Sequence, residues 1–102
     1  MAKLFAMYKR PADAAAFDRY YYATHVPIAK KVPGLRHYEV TSGAVASLGG
    51  ESPYHLIATL TFDSMEAIQE ALASTEGQAT AADLAIFASS GVDLYIADTR
   101  AI

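Results

Sequence analysis

The stretch from Tyr54 to Phe62 alternates with a period of two, and no other segment constrains the fold as much. Leu56, Ala58, Leu60 and Phe62 fall on one side; His55, Ile57, Thr59 and Thr61 fall on the other. This is the pattern of a β-strand with one fully apolar face and one mixed face. The apolar face needs cover, and in a chain of 102 residues that cover comes from helices of the same domain. The expected organisation is therefore a single domain spanning 1–102.

The remaining segments supply such helices. Lys3 to Lys9 reads as a first strand, with Leu4, Ala6 and Tyr8 on one face and Phe5 and Met7 on the other. Arg10-Pro11-Ala12-Asp13 breaks it and places Asp13 as a helix N-cap. An alanine-rich helix follows from Ala14, with Phe17, Tyr21, Thr24 and Ile28 as its apolar stripe. Pro27 cannot donate to the carbonyl of Ala23, so the helix is expected to kink or restart near His25. Pro33-Gly34 stops it. Arg36 to Ala46 reads as a second strand, and residues 47–53 as a loop before the strand Tyr54 to Phe62. Asp63 with Glu66 has the spacing of a capping box, and Met65, Ile68 and Leu72 form the next stripe. Thr75 with Gln78 repeats the cap spacing, and Val92 to Asp98 reads as the last strand.

The order is β-α-β-β-α-(α)-β. Right-handed crossovers and a central hairpin turn this order into an α+β, ferredoxin-like βαββαβ sandwich with a four-stranded antiparallel sheet. Helices cover one face. On the other, Phe5, Met7 and Ile57 are too apolar to face water together, which points to a homodimer packed sheet against sheet. Against this, Thr59, Thr61 and His55 make the same face polar enough for a monomer.

Composition removes several classes of function. The chain has no cysteine, which excludes disulfides, thiolate metal sites and cysteine nucleophiles. Its net charge is −3, so no general attraction to nucleic acid or anionic membranes is expected. The apolar run Leu4 to Tyr8 is shorter than the about 7–15 residues of a signal peptide core and the about 20 of a membrane helix. A soluble, cytoplasmic protein is the expectation. The histidines lack metal-ligand spacing, and no phosphate loop or nucleophile elbow is present, so neither a metal nor a cofactor is expected.

His25 is the first candidate for chemistry. Tyr21 and Tyr22 precede it by one helical turn, and an imidazole beside phenols at a core edge can act as an acid or base. On the residues alone, a core-edge histidine bonded to a carbonyl or a tyrosine is the better explanation. The run Tyr20-Tyr21-Tyr22 is either the wall of a pocket for a flat organic ligand or amphipathic packing. Lys30, Lys31, Arg36 and His37 form a basic cluster that either holds a carboxylate or is a solvated helix end.

The segment Phe17-x-x-Tyr20-x-x-x-Thr24-His25-Val26-Pro27-Ile28-x-x-Lys31-x-Pro33-Gly34-Leu35 resembles the EthD family, named from ethyl tert-butyl ether degradation. Val26 stands where alanine is common, and Tyr22 extends the usual aromatic run. The resemblance implies a homodimeric α+β barrel related to muconolactone isomerases, polyketide cyclases and cofactor-free monooxygenases. It places His25 at the family's His-x-Pro histidine.

Two functions follow as expectations. The first is a cofactor-free isomerase, dehydratase, lyase or monooxygenase acting on a small hydrophobic or aromatic compound. His25 would move the proton and Tyr22 would hold the developing oxyanion. Tyr8, Phe17, Tyr21, Ile28, Tyr38 and Phe62 are the expected ligand-binding residues. The second is a non-catalytic ligand-binding or accessory protein of a catabolic pathway, favoured by the lack of a strong charged dyad. Haem binding with His25 as axial ligand is a weaker third expectation, since related barrels include haem-handling proteins.

Overall fold

The computed structural model describes the chain from Met1 to Ile102. In chain order the elements are β1 (Ala2–Lys9), α1 (Ala14–Tyr20), a π-helical turn (Tyr21–His25), α2 (Val26–Ala29), β2 (His37–Val40), β3 (Tyr54–Phe62), α3 (Met65–Ala73), α4 (Thr75–Phe87) and β4 (Val92–Asp98). The strands form one four-stranded sheet in the order β2-β3-β1-β4, and every neighbouring pair is antiparallel. This is the ferredoxin-like α+β architecture expected from the element order.

The register explains the core. Leu4 pairs with Leu60, Ala6 with Ala58 and Tyr8 with Leu56, so the apolar sides of β1 and β3 lie on the same face. Helices cover that face: Phe17 and Tyr21, together with Ile68 and Ala71 of α3, are buried against it. The opposite face carries Phe5, Met7, Ile57 and Tyr95, with Phe5 paired to both Thr59 and Tyr95. No helix of the structure is long and apolar enough to cross a membrane.

Four local expectations need correction. Asp63 does not cap α3; Ser64 does, accepting from Ala67 N at 3.0 Å. Asp63 is instead forked by Arg36 at 2.8 and 3.1 Å. The cap of α4 is Ser74 rather than Thr75, and its hydroxyl accepts from Gly77 N at 3.0 Å. The strand expected over Arg36 to Ala46 ends at Val40. Thr41 closes that ladder by donating from its backbone N to Ile57 and accepting from Ile57 N on its hydroxyl, and Gly43 then turns away at φ 80°. Finally, His55 does not lie on the open face of β3. A bulge opposite Tyr8 and Lys9 re-aims it toward the helix layer.

The break at Pro27 occurs where the sequence places it. The N–H of Val26 donates to Tyr21, one residue further back than in an α-helix, and α2 restarts with Pro27 in its first turn. The extra residue changes which side chains face inward. Residues four apart stay aligned, so the buried row is Phe17, Tyr21, His25 and Ala29, while Thr24 and Ile28 are only partly covered. The inserted turn thus carries His25 from the edge of the core into it.

Candidate functional site

His25 is 3% exposed and both of its ring nitrogens have partners. Nδ1 lies 2.9 Å from Asp83 Oδ2. A carboxylate only accepts, so Nδ1 carries the proton and Nε2 presents its lone pair. Nε2 faces the Tyr8 hydroxyl at 3.5 Å, the outer limit of a hydrogen bond. The other oxygen of Asp83 accepts from Tyr20 at 2.6 Å. Tyr20 and His25 therefore hold the carboxylate of α4 from two sides. Phe87, one turn further along α4, lies over the imidazole with a 4.7 Å centroid separation.

Burial pushes the His25 pKa below its ordinary value, and the Asp83 hydrogen bond only partly offsets this. The pair is thus a neutral imidazole donating to a carboxylate rather than a salt bridge. Burial raises the Tyr8 and Tyr21 phenols well above their ordinary range. Tyr38 is also raised by burial, while its bond to Tyr21 works the other way. Hydroxyls of Tyr21 and Tyr38 lie 2.5 Å apart. One of the two phenols donates to the other, and each hydroxyl is held by that bond.

Tyr8, His25 and Tyr38 meet at one end of a cavity of about 80 Å³ between the helices and the sheet. Apart from Thr80, its other walls are apolar, among them Leu60, Leu84 and Leu94. Leu72 and Leu94 form its rim and are 45% and 53% exposed.

Among the expected site residues, His25, Tyr8, Tyr38 and Phe62 line this cavity. Tyr21 stands behind Tyr38 and positions its hydroxyl. Phe17 packs edge-on against Tyr8 outside the lining. Ile28 is turned away from the cavity by the π-helical turn. Tyr22 is 51% exposed and lines a different cleft, so it is not placed to hold an oxyanion beside His25. Tyr38 lines the cavity with His25 instead. The expected lack of an acidic partner is also corrected, because Asp83 hydrogen-bonds His25. Asp83 carried one sequence signal: an acid inside the apolar run Ala81-Ala82-Asp83-Leu84-Ala85. The cavity does not fit haem, because at about 80 Å³ it is far smaller than a porphyrin.

The arrangement defines a ferredoxin-like α+β protein with a polar cluster in the wall of an apolar cavity. The chain belongs to the EthD family, whose domain model matches residues 9–91. It is 38% identical over 103 residues to an uncharacterized 11.0 kDa protein encoded in the thcB-thcC intergenic region of Rhodococcus erythropolis, a match spanning 100% of this chain and 98% of that one. It is 39% identical to a crystallised ethyl tert-butyl ether degradation family protein from Bacillus halodurans, with a TM-score of 0.90 over 98% of this chain and 99% of the other. SnoaB, a cofactor-independent oxygenase from Streptomyces nogalater, shares the fold at 13% identity, with a TM-score of 0.69 over 99% and 94% of the two chains.

Proposed function

We propose that this EthD-family protein binds a small, largely apolar compound bearing one carbonyl or phenolic oxygen, and that His25 moves a proton on it. The observation that carries the reading is the fixed tautomer of His25: Nδ1–H held on Asp83 at 2.9 Å, with Nε2 at the polar end of an apolar cavity. A neutral imidazole whose Nε2 lone pair meets only the long 3.5 Å contact of the Tyr8 hydroxyl serves as a general base once a substrate displaces that contact. The substrate's oxygen sits against the Tyr38 hydroxyl, which donates to it. The C–H bond next to the carbonyl breaks, the proton goes to Nε2, and the electron pair moves onto the oxygen as an enolate held by Tyr38. Asp83 then faces an imidazolium, which it stabilises. Return of the proton to another carbon completes an isomerisation, and departure of a leaving group completes a dehydration or lyase step. SnoaB, similar in fold, performs cofactor-independent oxygenation; on this chain such a reaction would begin with the same deprotonation, and the substrate would supply the electrons to oxygen.

The size of the cavity bears on the ligand. A void of about 150 Å³ holds a benzene ring, and this one measures about 80 Å³. The ligand therefore places its oxygen-bearing end inside and extends its apolar body past Leu72 and Leu94. We also infer that the protein works as a homodimer through the open sheet face of Phe5, Met7, Ile57 and Tyr95.

The test is native mass spectrometry of protein from its own host, followed by turnover assays of whatever compound it retains. Wild type should convert the compound, and His25→Gln should lose roughly 10²–10⁴-fold in rate while still binding it. Full turnover by His25→Gln overturns the proton-transfer role. Recovery of the compound unchanged by wild type leaves a binding protein and removes the chemistry.

A further inference from the structure

A second cleft of about 260 Å³ opens where β1 ends, away from the cavity of His25. Its polar lining is Arg10, Asp18, Tyr22, Thr41, Tyr54 and His55. The side chains here are held in place, yet several of their polar atoms have no partner in the protein. Arg10 Nε donates to Ser52 O at 2.9 Å, which fixes the guanidinium plane and leaves its two terminal nitrogens without an acceptor. Arg10 takes part in no salt bridge. His55 is set from two sides: Nε2 donates to Asp18 Oδ1 at 2.8 Å, and its ring meets Phe17 edge-on at 5.2 Å. Its Nδ1 is free. The Tyr22 ring stands edge-on to Tyr21 and offers a half-exposed flat wall, with a hydroxyl that bonds nothing in the protein.

Each of the two carboxylates nearby has one oxygen in a hydrogen bond. Asp18 accepts from His55, and Asp93 accepts from Tyr54 at 2.7 Å. Arg10 is the one cation lining the cleft, and it presents a planar fork. Such a fork matches a carboxylate, whose two oxygens accept in parallel. A flat ring attached to that carboxylate would lie against Tyr22.

We propose that this cleft is a second binding site, for a small aromatic carboxylate, with Arg10 as the anchor and the Tyr22 hydroxyl as a flanking contact. It is independent of the proton chemistry at His25.

The experiment is titration of the full-length protein with sodium benzoate, followed by ¹⁵N-resolved NMR, with benzyl alcohol as the neutral counterpart and inorganic phosphate as a second anion. Benzoate should cause saturable shifts at Thr41, Gly43 and His55. Arg10→Gln should weaken binding about tenfold or more, the worth of one charge-assisted hydrogen bond. Arg10→Lys, which keeps the charge but loses the fork, should weaken it less. Benzyl alcohol should leave the same resonances unmoved. Undisturbed amide spectra of both variants away from residue 10 verify folding. The proposal is overturned by shifts confined to cavity residues such as Ala29 and Leu60, by equal affinity in Arg10→Gln, or by phosphate binding as tightly as benzoate. Absence of any saturable shift overturns it as well.

Discussion

Asp83 lies 58 residues beyond His25 in the chain, yet its Oδ2 accepts from His25 Nδ1 at 2.9 Å. Its other oxygen is held by Tyr20 at 2.6 Å. The carboxylate therefore decides which imidazole nitrogen is basic and where that nitrogen points. Replacing it separates positioning from chemistry. Asp83→Ala should convert His25 from one tautomer to a mixture, read directly as the ¹⁵N shifts of the ring nitrogens. It leaves a buried N–H without an acceptor, which should destabilise the fold by about 1–3 kcal/mol. An unchanged pair of ¹⁵N shifts would mean that Asp83 does not set the tautomer.

His25 also sets a pH dependence. Its folded pKa lies below its ordinary 6.5 because the ring is buried. Between that ordinary value and the lowered one, the unfolded chain binds a proton that the folded chain does not, so stability rises with pH across the window. Stability should therefore fall as the pH drops below about 6.5, and this contribution should stop changing below the folded pKa. The surrounding Tyr8, Tyr20 and Tyr21 have raised pKa values and stay protonated throughout. Urea midpoints measured from about pH 7.5 down to pH 5 should slope more steeply in wild type than in His25→Gln. Parallel slopes would place the titration elsewhere.

The architecture was legible because its signals are local. The alternation of β3, the Asp13 cap and the break at Pro27 each depend on neighbours in sequence. The missed features depend on distant ones. The buried positions of α4 are Gly77 and Asp83, whereas its Ile86 is 69% exposed. Hydrophobic periodicity cannot find a helix face whose buried members are a glycine and an acid. The sequence singles out His25 but not its inward direction. One inserted residue in the π-helical turn shifts every later side chain around the axis, and so moves Ile28 off the face and Ala29 onto it. The bulge that turns His55 is equally silent, since it arises from pairing with β1.

Gly77 gives a prediction about the corner between α3 and α4. Ser74 ends one helix and caps the next, so the two helices meet closely. A Cβ on Gly77 would stand 1.9 Å from Ala71 O, which is backbone and cannot step aside cheaply. Gly77→Ala gains helix propensity of about 1 kcal/mol, but the overlap forces the helices apart. Overpacking of this kind costs about 1–3 kcal/mol or more. The melting temperature should drop, by roughly 4–8 °C for each net kcal/mol lost. A rise in Tm would show that the corner has slack.

The open sheet face yields the last prediction. Phe5 sits opposite both Thr59 and Tyr95, and Met7 opposite Ile57, so the apolar side chains form one contiguous patch across β3, β1 and β4. Tyr95 is 62% exposed in the single chain. A two-fold axis through such a patch lets each copy cover the other with the same residues. Light scattering of wild type at micromolar concentration should give twice the chain mass of 10.9 kDa. Its unfolding midpoint should fall on dilution, because dissociation is linked to unfolding by mass action. Phe5→Lys places a charge at the centre of the patch and should give a monomer, with a midpoint independent of concentration. Far-UV circular dichroism of that variant should keep the wild-type shape, because Phe5 points away from the helix-covered core. A wild type that scatters as a monomer, with a midpoint insensitive to dilution, would mean that Thr59 and Thr61 suffice to keep this face in water.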